Sequence, residues 1–145
     1  MPLRSFLLVA AAAAFLAGGA DAQQVGGDDA LARVEAGLRN GDAEAVLVDA
    51  APRLEIVLFG QGGTYRRSQA VHVLRDFFRR YPPDRVDLGS ELSSSADGRT
   101  AIGRYWTEDG GMPLQVRVLH RQSGDDWTLV SMRIERQSFG RVGGR

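Results

Sequence analysis

The stretch Leu54–Val86, LEIVLFGQGGTYRRSQAVHVLRDFFRRYPPDRV, changes period twice, and those two changes decide the fold. Its opening, Leu54-Glu55-Ile56-Val57-Leu58-Phe59, is rich in strand formers, and the glycines at 60, 62 and 63 make the turn that follows. Ser68 is a helix-capping residue, and behind it Val71, Leu74, Phe78 and Tyr81 fall on one helical stripe with Phe77 beside it. Pro82-Pro83 ends that helix. Beyond it Val86, Leu88, Ser90 and Leu92 alternate with Asp87, Gly89, Glu91 and Ser93, the period of a strand.

Working outward, three more strands are expected at 99–107, 113–121 and 126–136, separated by turns at Ala96-Asp97-Gly98, Glu108–Met112 and Ser123-Gly124-Asp125. Upstream, Asp28 or Asp29 can cap a helix over 29–39 carrying Leu31, Val34 and Leu38, with Asn40-Gly41 as its left-handed stop. Asp42 can cap a second helix through Ala43, Val46, Leu47 and Ala50, which Pro52 ends. The order helix, helix, strand, helix and four closely joined strands makes the chain α+β, with the last four strands an antiparallel meander and the third helix its cover.

Met1–Ala22 carries the three parts of a signal peptide: Arg4, the apolar run Phe6–Leu16, and Ala20-Asp21-Ala22 ahead of a cleavage point before Gln23. The apolar run is shorter than the ~20 residues a spanning helix needs, so the chain is expected to be exported, periplasmic or secreted, with no membrane span after cleavage. Residues 23–27 read as a polar lead-in, 28–136 as one domain, and 137–145 as a disordered Gly- and Arg-rich tail.

With 43% hydrophobic and 25% charged residues and a formal net charge of zero, the composition is that of an ordinary globular chain. All 18 basic residues are Arg, and Cys is absent. This removes thiol nucleophiles, disulfides, thiolate metal sites, Schiff-base chemistry and a phosphate loop with its lysine. With two His and no HExxH pattern, no histidine zinc site is expected, and GxSxG is missing. Glu108-Asp109 and Asp125-Asp126 sit in turns and lack the spacing of a calcium loop. No cofactor or metal is expected.

The pieces GDAEAV, LEIVLFGQGGTYRRSQAVHVLRDFFRRYPPDRV, AIGRYWTEDG and WTLVSMRIER, spread over Leu38–Arg136, together resemble the bacterial domain of unknown function 4783. That family is similar to the nuclear transport factor 2-like superfamily. The resemblance implies a cone-shaped, cystatin-like α+β roll, with three N-terminal helices packed on a curved antiparallel sheet around a pocket. The superfamily includes ketosteroid isomerase and limonene epoxide hydrolase beside members that only bind, so the likeness does not choose between enzyme and binder. It supplies no functional residue at a numbered position.

Candidate sites follow from the strands. If Ile102 faces Val118 and Val118 faces Val130, one sheet face carries Ile102, Arg104, Trp106, Leu114, Val116, Val118, His120, Val130, Met132 and Ile134. That face should meet the helices, placing Arg104, Trp106 and His120, with Tyr65 and Phe78, around an aromatic ligand pocket. The bland alternative is that Trp106 is core and the polar pair reaches solvent at the rim. The opposite face would show Tyr105, Arg117, Leu119, Trp127 and Arg133, a mix common in protein interfaces, so a homodimer is expected there. Nucleic acid, the rival reading of Arg beside aromatics, is disfavoured by export and zero net charge. His72 has Asp76 one turn on and could form a paired imidazolium, although it lies away from the apolar stripe. The expected function is therefore an exported, non-catalytic domain binding a small apolar or amphipathic ligand or a partner protein. The alternative is an isomerase- or hydrolase-like enzyme using a pocket carboxylate or His120.

Overall fold

The computed structural model describes residues 19–96 and 98–137, with side chains from Gly26 onward. In chain order these form α1 (Gly19–Asn40), α2 (Ala43–Val46), β1 (Ala50–Leu58), β2 (Gln61–Arg66), α3 (Arg67–Arg80), β3 (Pro83–Ser95), β4 (Gly98–Thr107), β5 (Leu114–Ser123) and β6 (Asp126–Arg136). Most of the leader reading and the tail from residue 138 fall outside the described residues. Residues 23–27, read as a loose lead-in, lie within α1.

The helices form and stop for local reasons. Gly41, at φ 61°, closes α1: its N–H donates to the Leu38 carbonyl, and the Asp42 N–H donates to the Gly37 carbonyl. The Asp42 side chain accepts the Ala45 N–H, as a cap of α2 should. That helix is shorter than expected. Ala50 is already strand, facing Leu129 of β6, and the Leu129 N–H donates to the Asp49 carbonyl. Pro52 sits not at a helix end but in β1, where the register shifts between Ala50 and Glu55 and no ladder N–H is required of it. α3 starts one residue before the expected cap. Gln69 accepts the Arg66 N–H, and Ser68 lies inside the first turn.

One six-stranded sheet has the order β2-β1-β6-β5-β4-β3. The β3–β6 meander is antiparallel, as expected, but β1 joins beside β6 in parallel, so the sheet is mixed. β2 is an additional strand: Gln61–Arg66 folds back on β1 through the turn Phe59-Gly60. α1 lies across β3 and β6, α3 lies against β1 and β2, and α2 joins the two helices. Glu35 of α1 fastens this layer to β3 by accepting the Leu88 N–H at 3.0 Å while pairing with Arg39.

The register differs from the expected one, by one residue between β4 and β5 and by two between β5 and β6. Val118 faces Ala101 and Met132, not Ile102 and Val130. The helix-facing side therefore carries four successive rungs: Tyr105–Leu114–Arg136, Gly103–Val116–Ile134–Leu58, Ala101–Val118–Met132–Ile56 and Arg99–His120–Leu129–Ala50. A one-residue slip sends every side chain of a strand to the other face, so Ile102, Arg104 and Trp106 point away from the helices. Gly103 is required where it stands. A β-bulge in β3 between Asp87 and Glu91 brings the Asp87 carbonyl 1.9 Å from where a Cβ would be.

Candidate functional site

The end of the sheet carrying Tyr105, Leu114 and Arg136 is where the fold opens. Phe59 stands in the β1–β2 turn with a left-handed backbone, φ 53°, a conformation that costs a bulky L-residue about 1–2 kcal/mol. The turn delivers its ring to Tyr81 at 5.0 Å and to Phe77 at 6.3 Å between centroids. Phe77 in turn meets Tyr81 at 5.3 Å and Tyr105 at 5.4 Å. The Tyr105 hydroxyl donates to the Tyr81 carbonyl, tying the sheet to the end of α3, and burial pushes the Tyr105 phenol pKa up, with Glu108 adding to it.

Two clefts flank this cluster and share Tyr81. One, of about 430 Å³, lies between the β1–β2 hairpin and α3; Ile56, Leu58, Phe59, Val73 and Phe77 give it apolar walls, and Gln61, Tyr65, Asp76 and Arg80 line its polar parts. The other, of about 350 Å³, lies on the far side of Tyr81 against Thr107, Asp109, Met112, Leu114, Arg136 and Gln137. Volumes of this order match small-molecule sites, which run about 300–1,000 Å³. The Asp109 carboxyl is held below the ordinary carboxylate value, first by the Thr107 hydroxyl and then by the Gly111 N–H, so it is an ionised turn group rather than a poised acid. Asp76 pairs with Arg79 and not with His72, which is exposed on α3.

His120 sits at the other end, on the rung with Arg99 and Leu129. It is 2% exposed, and its Nε2 has no hydrogen-bond partner. Burial lowers its pKa from 6.5 to about 4; Asp49 opposes the shift, and Arg99 and Arg33 reinforce it. The groups around it fasten α1: Arg99 pairs with Asp28, and Arg33 with Asp49. His120 lines none of the clefts described, including a polar one at this end bounded by Asp29, Arg33, Asp49, Arg67 and Trp127.

The expected pocket residues therefore separate. Tyr65 lines the larger aromatic cleft. Phe78 is buried with its ring edge-on to Phe77, 5.7 Å between centroids, but it borders a shallow hollow with Asn40, Arg75 and Pro83 and lines neither aromatic cleft. Arg104 and Trp106 are on the outer face, where the Arg85 guanidinium stacks 3.8 Å from the Trp106 ring centre. Among the expected interface residues, Arg117, Leu119 and Arg133 share that outer face, beside the half-buried Ile102. Tyr105 does not: it is fully buried on the inner side. Trp127 also lies inward, because the register shift near Leu119 and His120 turns the start of β6 over and packs its ring on Gly26 and Gly27 of α1. Phe59, Phe77, Tyr81, Leu114 and Arg136 were missed as a site. Their one sequence signal is aromatic residues closing both β1 and α3; only the fold shows that those two ends meet.

Among the described residues no cluster of three or more His, Cys, Asp or Glu could hold a metal ion, and no helix is long and apolar enough to cross a membrane.

Comparisons with known proteins place this geometry. The chain is similar in structure to a DUF4783 family protein from Bacteroides uniformis ATCC 8492, at 11% identity and a TM-score of 0.66 over 74% of this chain and 96% of that one. It is also similar to an NTF2-like protein of unknown function from Shewanella baltica OS155, at 10% identity and a TM-score of 0.63 over 83% of this chain and 98% of that one. A third likeness is to a domain of unknown function with a cystatin-like fold from Nostoc punctiforme PCC 73102, at 8% identity and a TM-score of 0.64 over 83% and 80% of the two chains. At these identities the likeness shows the fold: an NTF2-like, cystatin-like α+β domain. No curated protein matches. A family model described as "Domain of unknown function (DUF4783)" matches residues 31–135, most of the chain, and the chain belongs to that family.

Proposed function

We propose that this chain is an exported, non-catalytic domain that binds a small apolar or amphipathic molecule in the clefts around Tyr81. The observation that carries the reading is Phe59. A bulky residue is held in a left-handed turn at a backbone cost, and its ring becomes a wall of an open, aromatic-lined cleft. The Met1–Ala22 leader pattern supports export.

The enzyme alternative has less behind it. The carboxylates at the clefts, Asp76 and Asp109, are engaged by Arg79 and by Thr107 and Gly111. His120 is buried away from both clefts.

A second surface supports self-association. Ile102, Trp106 and Leu119 lie half-buried on the outer sheet face among Arg104, Arg117, Glu55 and Glu135, and the mixture of both charge signs suits a face that pairs with its own copy about a two-fold axis.

The test of the ligand reading is native mass spectrometry of the gently purified protein, followed by a ligand-detected NMR screen of apolar and amphipathic compounds. The expected result is a small-molecule mass on the protein, or binding hits displaced by one another. A clean protein that binds nothing in the screen contradicts it.

A further inference from the structure

The walls of the two clefts are apolar, but their charge is not balanced. Asp109 accepts from Thr107 and Gly111 within its own turn, and Asp76 is taken by Arg79 of the same helix. Arg80 and Arg136 line one cleft each, and their side chains have neither hydrogen bond nor ion pair among the described residues. Arg136 is the better placed. Its guanidinium lies over the Phe59 ring, 5.3 Å from Cζ to the centroid, so it stands where the cluster separates the two clefts.

A guanidinium carries its N–H donors in one rigid planar fork, and the Phe59 ring beneath this one leaves them unspent. That fork is the geometry that binds a carboxylate through two parallel hydrogen bonds. The cation–π contact also favours this placement of the side chain before any ligand arrives, so less conformational freedom is lost on binding. Leu114 beside it and the Phe59, Phe77 and Tyr81 rings offer an apolar surface next to the cation.

We infer that the site takes a small, soluble amphipathic anion, whose carboxylate sits on the in-plane edge of Arg136 and whose apolar body lies against Phe59, Tyr81 and Leu114, with Arg80 adding positive potential from the second cleft. This rests on the ligand reading above and names the ligand's chemistry.

The experiment compares three probes of one shape by calorimetry: 4-phenylbutyrate, 4-phenylbutanol and 4-phenylbutylamine. The expected result is a tenfold or greater preference for the carboxylate, shrinking as salt is raised. Arg136→Gln should remove that preference, bringing carboxylate and alcohol to equal affinity in the variant. Arg136→Lys, which keeps the charge without the planar fork, should restore only part of it. Arg136 is exposed, so these variants should fold, which circular dichroism checks. Equal binding of carboxylate and alcohol overturns the inference while leaving the apolar cleft standing. Failure of all three probes overturns both. Sedimentation with phosphatidylglycerol vesicles in place of phenylbutyrate binding overturns it by making the anion a membrane surface.

Discussion

The Arg136 guanidinium rests on the ring of Phe59, and Phe59 is the one non-glycine residue with positive φ among the described residues. On the ligand reading proposed above, this strained residue serves the cleft rather than the turn. Phe59→Gly should therefore separate stability from binding. Relief of about 1 kcal/mol of backbone strain offsets lost ring contacts, so the unfolding free energy should move by less than about 1 kcal/mol. Binding of a cleft ligand should fall at least tenfold. Urea unfolding and calorimetric titration read the two effects. A large loss of stability with binding intact would make Phe59 a packing residue.

His120 makes a pH-dependent contribution whose sign follows from its burial. Its pKa falls from 6.5 to about 4 on folding, so between those values the unfolded chain takes up a proton and the folded chain does not. Stability is thus full above pH 6.5 and erodes as pH falls toward 4, by roughly 3 kcal/mol in total for this group. Chemical denaturation of the native chain and of His120→Leu, measured from pH 7 to pH 4, should show a shallower slope for the variant. Parallel curves would mean that His120 does not titrate in this way.

Tyr105→Phe removes the hydroxyl that donates to the Tyr81 carbonyl and should cost about 1 kcal/mol. The same chemistry checks the register. Tyr105→Ala, a full core truncation, should cost about 3–5 kcal/mol, and Trp106→Ala on the outer face clearly less. The reverse order in denaturant melts would restore the register expected from sequence.

Gly103→Ala places a methyl 1.9 Å from the Asp87 carbonyl oxygen, a clash with backbone that no rotamer relieves. The β3 bulge must move, and a loss of about 1–3 kcal/mol is expected in thermal or urea unfolding. A neutral substitution would show that the bulge yields freely.

On the outer face, Leu119→Arg should convert a dimer to a monomer in light scattering behind size exclusion, because it puts a long charged side chain in place of an apolar one between Thr100 and Ser131. A monomeric native chain, or an unchanged dimer, removes this face as the interface.

Local chemistry carried much of this fold into the sequence. Gly41 and Asp42 mark the α1–α2 junction, Pro82-Pro83 ends α3, and the turns of the meander fall where Gly and Asp cluster. Tertiary choices did not show. Nothing local says that β1 inserts beside β6, and Gln61–Arg66, with two glycines, forms a strand only because it is the return arm of a hairpin. In β4 the alternation misleads: the bulky Ile102 and Trp106 face out, with Arg85 covering the indole, while Ala101 and Gly103 face in, where β3 presses close. That slip misplaced Arg104, Trp106 and Tyr105 together. Tyr65 alone of the five expected pocket residues lines an aromatic cleft, because the site is assembled by the meeting of two element ends and not by any one strand's pattern.

The most direct test of the Tyr81 clefts as the binding site is a ¹H–¹⁵N NMR titration of the isotopically labelled protein with 4-phenylbutyrate. The account predicts saturable shifts concentrated at Phe59, Phe77, Tyr81, Leu114 and Arg136. Shifts confined to the outer sheet face or to the surroundings of His120, or no shifts at all, would contradict it.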